Sequence, residues 1–164
     1  MMSSDTAQNY EYKKAFGQFA SNKTQRPNTL KPYVIELDPL SELGEAIRGI
    51  EFEKGNITIK QSGIYLLVAC PQISKSSGYI PRWIDFWVRI NGKDVSNSNL
   101  RCVLQMPDEK TVTMLNLVAP MNKRDVINIM MALETITDGL GVEAIQPKDE
   151  PTIPSIIVTL VQLD

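Results

Sequence analysis

The sequence predicts an all-β fold, a sandwich or jelly roll, on three observations. Short strand-like runs recur at the roughly 8–12-residue spacing of sandwich proteins, each closed by turn residues. No window keeps a helical period beyond a turn or two. In the last third of the chain, Val112 to Met131 and Pro154 to Leu163 carry apolar residues on both faces. Strands of that kind lie between two layers, so a second subunit is expected to cover one of them.

Taken in order, residues 1–11 are polar and aperiodic and are read as a flexible tail, with the domain spanning residues 12–164. Lys14 to Ala20 alternates as a first strand, and Tyr33-Val34-Ile35-Glu36-Leu37 as a second that Asp38-Pro39 breaks. Ser41 to Arg48 holds the one helix-like window, but Gly44 and Gly49 confine it, and it is read as a loop. Strands then follow at Ile50–Glu53, Asn56–Lys60, Gly63–Ile73, Trp83–Ile90, Leu100–Gln105, Thr111–Val118, Asp125–Leu133 and Ser155–Leu163. Turn chemistry separates them, and Asn91-Gly92 is the strongest hairpin signal. The stretch Glu134 to Thr152, with Gly139 and Gly141, reads as a long variable loop.

In the strand after Gly63, Ile64/Leu66/Val68/Cys70 and Tyr65/Leu67/Ala69 form two sets, both apolar or amphipathic. The last strand repeats this with Ile156/Val158/Leu160 against Ile157/Thr159/Val161/Leu163. One set of each fills a core; the other is left bare in a lone chain.

Composition narrows the chemistry. A chain of 164 residues suits one domain. Seventeen basic against nineteen acidic side chains, with no basic stripe, argue against a general nucleic-acid binder. There is no histidine, so a Ser or Cys nucleophile lacks its usual base and a zinc site lacks a common ligand. Cys70 and Cys102 sit in apolar runs and read as buried free thiols; a disulfide between them would need neighbouring strands and an oxidising compartment. No cofactor is expected. The start, Met1-Met2-Ser3-Ser4-Asp5, has no secretory pattern and no apolar run reaches the roughly 18 residues of a spanning helix. Synthesis in the cytoplasm without a signal peptide is expected, with the product ending on a spore surface or phage particle.

Four stretches carry a resemblance: Ser62-Gly63-Ile64-Tyr65 opening a long apolar strand; Trp87-Val88-Arg89-Ile90-Asn91-Gly92-Lys93; Leu115 to Ile127; and Pro151 to Val161. In this order, over about Lys14 to Asp164, the chain resembles the tumour necrosis factor and complement C1q-like jelly-roll superfamily, especially its bacterial C1q-like members. The resemblance implies a ten-strand jelly-roll sandwich forming a tight homotrimer about its inner sheet. By position it makes Tyr65, Leu67, Val118, Ile157, Thr159 and Val161 the trimer contacts. The chain departs from the family pattern at Lys123-Arg124-Asp125 and has no Gly-X-Y stalk, which tells against a stalked lectin-like molecule and a carried-over calcium site.

A ligand face is suggested by Trp83-Ile84-Asp85-Phe86-Trp87-Val88-Arg89-Ile90. With Ile84, Phe86, Val88 and Ile90 turned inward, Trp83, Asp85, Trp87 and Arg89 share the opposite face, a set suited to stacking on a sugar or anchoring a protein. The plainer reading has both tryptophans covering sheet edges. Asp85 has no second carboxylate at hand for glycoside hydrolysis, so no enzyme is expected. Asp108, Glu109, Asp138, Glu143, Asp149 and Glu150 fall in loops and read as solvated rather than metal-binding. The function expected is a non-enzymatic structural and interaction protein, a trimeric head in a bacterial surface layer such as a spore coat or exosporium. Its partners are further copies of itself and other surface-layer proteins or glycans. The alternative is a carbohydrate- or receptor-binding module, for instance of a phage.

Overall fold

The computed structural model describes residues 13–40, 47–53 and 55–164. The tail at residues 1–11 and most of the helix-like window at Ser41 to Arg48 lie outside the described residues. Among those described, the strands are β1 (Phe16–Ser21), β2 (Tyr33–Val34), β3 (Asp38–Pro39), β4 (Ile47–Arg48), β5 (Ile50–Glu53), β6 (Asn56–Ile59), β7 (Gly63–Ser74) and β8 (Arg82–Ile90), followed by β9 (Lys93–Asp94), β10 (Leu100–Leu104), β11 (Lys110–Val112), β12 (Leu115–Met121), β13 (Val126–Leu133), β14 (Gly141–Val142) and β15 (Ile156–Gln162). No helix among the described residues is long and apolar enough to cross a membrane.

Two antiparallel sheets face each other. One runs β11-β7-β15-β1-β3, with β12 and β14 also pairing β7 and β4 pairing β1; the other runs β10-β8-β13-β6-β5, with β2 on β13 and β9 on β8. The first sheet is closed by chain ends far apart in sequence: β1 pairs β15 from Phe16↔Val161 to Ser21↔Ile156.

Period-two alternation decides which side chains meet. Phe19, Tyr65, Leu67, Ala69, Val158 and Leu160 from the first sheet pack against Ile57, Ile59, Ile84, Phe86, Val88, Ile127, Ile129 and Met131 from the second, all essentially dry. Burying Tyr65 strands a phenol unless it finds an acceptor, and its hydroxyl donates to the Gln61 carbonyl at 2.7 Å. The hairpin β8–β9 turns on Asn91 (φ 52°) and Gly92 (φ 75°), the two left-handed residues that a two-residue turn of matching twist demands.

One expected feature is corrected. The stretch Glu134 to Thr152 is no open loop: β14 within it pairs β7 through Gly141↔Ser74 and Val142↔Ile73, and Ile145 bridges Ile153. Gln25 completes the staple. Its backbone exchanges hydrogen bonds with Val142, while its buried amide donates to Ser21 Oγ and the Glu36 carbonyl and accepts from the Glu36 N–H. Apolar Val142 and Leu140 have a core to enter, and that outweighs the conformational freedom of the two glycines.

Candidate functional site

Two surfaces gather the residues singled out from the sequence. The first is the outward face of β1, β15, β7 and β12. In an antiparallel sheet, residues directly opposite share a face, so the register sorts this one into rows. Leu163, Ile64 and Pro120 form one; Phe16, Val161, Leu66 and Val118 the next; Gln18, Thr159, Val68 and Asn116 the third; Ile157 and Cys70, with Ala20 beneath, the fourth. Three of the four rows are apolar, yet Val118 is 60% exposed, Ile64 42%, Ile157 38% and Val161 36%. In the third row, Thr159 donates its hydroxyl to Gln18 Oε1 at 3.0 Å.

Val118, Ile157, Thr159 and Val161 therefore lie on this face. Tyr65 and Leu67 do not: both are 0% exposed and point between the sheets. The expectation that they contact a partner is corrected. Their neighbours Ile64, Leu66 and Val68 take the outward positions. Both sets of β7 are apolar, so hydropathy alone left the facing undecided; the acceptor for the Tyr65 hydroxyl lies in the preceding turn and lets the ring be buried.

The second surface is the outward face of β8. Ile84, Phe86 and Val88 fill the core, and Trp83, Asp85, Trp87 and Arg89 stand on the opposite side, where Trp83 and Arg89 are half-buried and Asp85 and Trp87 are each only 8% exposed. The sheet supplies two residues that sequence reasoning missed, Arg101 and Asp94. Arg101 sits opposite Asp85 on β10. It donates through Nε and Nη2 to the two Asp85 oxygens, each at 2.8 Å, and its guanidinium lies 4.0 Å from the Trp83 ring centroid. Asp94, from β9, accepts at Oδ1 from Trp87 Nε1 (2.7 Å) and Arg89 Nε (2.8 Å). Both partners follow from strand register, which a single sequence does not display.

The electrostatics follow. The Asp85 hydrogen bond raises the Arg101 pKa further above its ordinary value. Arg89 and then Trp87 hold the Asp94 carboxyl below the usual carboxylate range. Asp85 is thus one half of a bidentate ion pair with Arg101.

The loop acids separate. Asp138 is held below the ordinary range chiefly by the Arg82 hydrogen bond at 2.7 Å, and Glu109 by the backbone N–H groups of Met106 and Gln105. Burial pushes Glu143 up, but Ser74, Lys110 and Arg26 together outweigh it and lower it. Among the described residues no three thiol or carboxylate groups are placed to hold a metal ion. Cys70 and Cys102 are free and half-buried, the first on the outward face of β7, the second packed at the core edge on β10.

In sequence, the chain matches no protein-family model and no curated protein. In structure it is similar to murine APRIL, a TNF-family jelly roll, solved as a crystal structure at pH 5.0. The TM-score is 0.53 with 17% identity, covering 92% of this chain and 100% of that one. The fold is that of a TNF-like jelly roll.

Proposed function

We propose that this chain is a non-enzymatic interaction module whose protomers close into a homotrimer, and that the trimer builds or decorates a bacterial outer layer such as a spore coat or exosporium. The carrying observation is the open apolar face on β1, β15, β7 and β12. Single exposed apolar residues are ordinary; three apolar rows on one face, two of them adjacent, are not.

A second apolar patch supports a ring over a two-fold pair. Val103, Met106, Val112 and Met114 are all exposed on the flank where β10 ends one sheet and β11 and β12 end the other. A two-fold dimer needs one self-complementary patch, whereas a cyclic assembly brings two different patches together head to tail. Flank against face is such a contact, and the trimeric habit of TNF-like proteins supports closure at three. The expected result in light scattering of the full chain is a mass near three times 18.4 kDa; the mass of one chain refutes the trimer. Antibody labelling of intact spores or particles tests the placement, and label confined to the cell interior refutes it.

A further inference from the structure

The segment after β8 borders an open recess of about 340 Å³ lined by Trp87, Asp94, Val95, Ser96, Asn97 and Asn99, within the range of small-molecule sites, about 300–1,000 Å³. Its polar groups are only half used. Trp87 and Arg89 both donate to Asp94 Oδ1. Among the described residues, Asp94 Oδ2, the Ser96 hydroxyl and the side-chain amides of Asn97 and Asn99 have no protein hydrogen bond.

The loop is nevertheless fixed. Buried Ser98 accepts from the Val88 N–H at 3.1 Å and donates to the Val95 carbonyl at 2.8 Å, and the Val95 N–H donates to the Val88 carbonyl at 2.9 Å. Asn97 lies in the left-handed region, φ 62°, which asparagine adopts more readily than other non-glycine residues. Open donors and acceptors on a fixed loop are what a ligand needs if it is to bind without paying to order the site.

We propose that this recess binds a neutral saccharide. The open Asp94 oxygen accepts a ring hydroxyl, the Asn97 and Asn99 amides offer both donors and acceptors to others, and the exposed edge of Trp87, which is 8% exposed, with half-buried Val95 meets an apolar edge of the ring. Arg89 already balances the Asp94 charge, so the site calls for neither a cation nor an anion. The inference goes beyond assembly and stands whether or not three chains associate.

The test uses the full chain labelled with nitrogen-15, whose only two tryptophans are Trp83 and Trp87, and the methyl glycosides of glucose, galactose, mannose and N-acetylglucosamine, with N-acetylneuraminic acid as the anionic control. At least one glycoside is expected to move the Trp87 indole N–H resonance saturably while Trp83 stays. Asn97→Gly with Asn99→Ala, which respects the backbone at 97, weakens binding roughly tenfold or more, the scale of lost hydrogen bonds; if the pair misfolds, Asn99→Ala alone serves. The proposal is overturned if no glycoside moves Trp87, if only Trp83 responds, if the acidic sugar alone binds, or if the variant binds as well as the parent.

Discussion

Asn91 and Asp125 bind each other across two turns of the same sheet: Asn91 Nδ2 donates to Asp125 Oδ1 at 2.8 Å, while Asn91 Oδ1 accepts from the Val126 N–H at 2.9 Å. The other Asp125 oxygen accepts from the Asn122 N–H at 2.7 Å. One carboxylate thus caps its own turn and anchors the β8–β9 hairpin.

Asn91→Asp sets a carboxylate against that carboxylate. A loss of about 1–2 kcal/mol at neutral pH is expected in urea unfolding. The deficit shrinks in acid and in high salt, since protonation and screening both remove the repulsion. Equal losses at pH 7 and in acid would mean that only the hydrogen bonds mattered.

Neighbouring residues on β7 give opposite outcomes. Leu67→Ala opens a core cavity and costs about 2–5 kcal/mol without changing the solution mass. Leu66→Asp, in the middle of an apolar row, is expected to keep the single-chain fold and to reduce the mass of the proposed trimer to that of one chain. Light scattering with thermal melts separates the two, and the reverse pattern would show that the faces are assigned the wrong way round.

Asp138 shares in the acid sensitivity with Asp94, Glu109 and Glu143, whose carboxyls are likewise held low. The Arg82 hydrogen bond depresses its folded-state pKa, so the folded state binds its proton less readily than the unfolded chain. That contribution is complete above the unfolded carboxylate value, about 3.9, and is lost as pH falls through the lower folded value. Asp138→Asn is expected to be less stable at pH 7 and to show a flatter stability profile between roughly pH 4 and 2. Stability that falls as steeply in the variant as in the parent would remove Asp138 from the account.

Arg101→Lys keeps the charge and loses the planar fork that grips both Asp85 oxygens and covers Trp83. Trp83 fluorescence is expected to shift to the red and the melting temperature to fall. Lys that restores both would reduce Arg101 to a point charge.

Much of the fold was legible because period-two alternation and turn chemistry are local. Gly63, Asn91-Gly92 and the Trp83–Ile90 run fall where those signals put them, and the inward set Ile84, Phe86 and Val88 is the expected one. The facing of β7 was not legible, because Tyr65 and Leu66 are both acceptable in a core and only the Gln61 carbonyl breaks the tie. The outward face of β8 was legible as a cluster but incomplete. Arg101 and Asp94 arrive through pairings with β10 and β9, and the lining of the recess sits in a loop whose sequence, Ser96-Asn97-Ser98-Asn99, reads as ordinary turn. The two-residue strand β14 was hidden by glycines that normally mark a loop.

The seam between β1 and β15 sets a timetable for the chain. The Ala15 N–H donates to Gln162 Oε1, 147 residues away, so that edge of β1 has no partner until β15 has left the ribosome. The sheet of β2, β5, β6, β8, β9, β10 and β13 draws on residues between Tyr33 and Leu133 and can pair during synthesis. Its partner sheet must wait. Such long-range closure is slow, and until it completes, β1 and β7 expose apolar edges to one another's copies. Crowding nascent chains on one message is therefore expected to favour strand exchange between them.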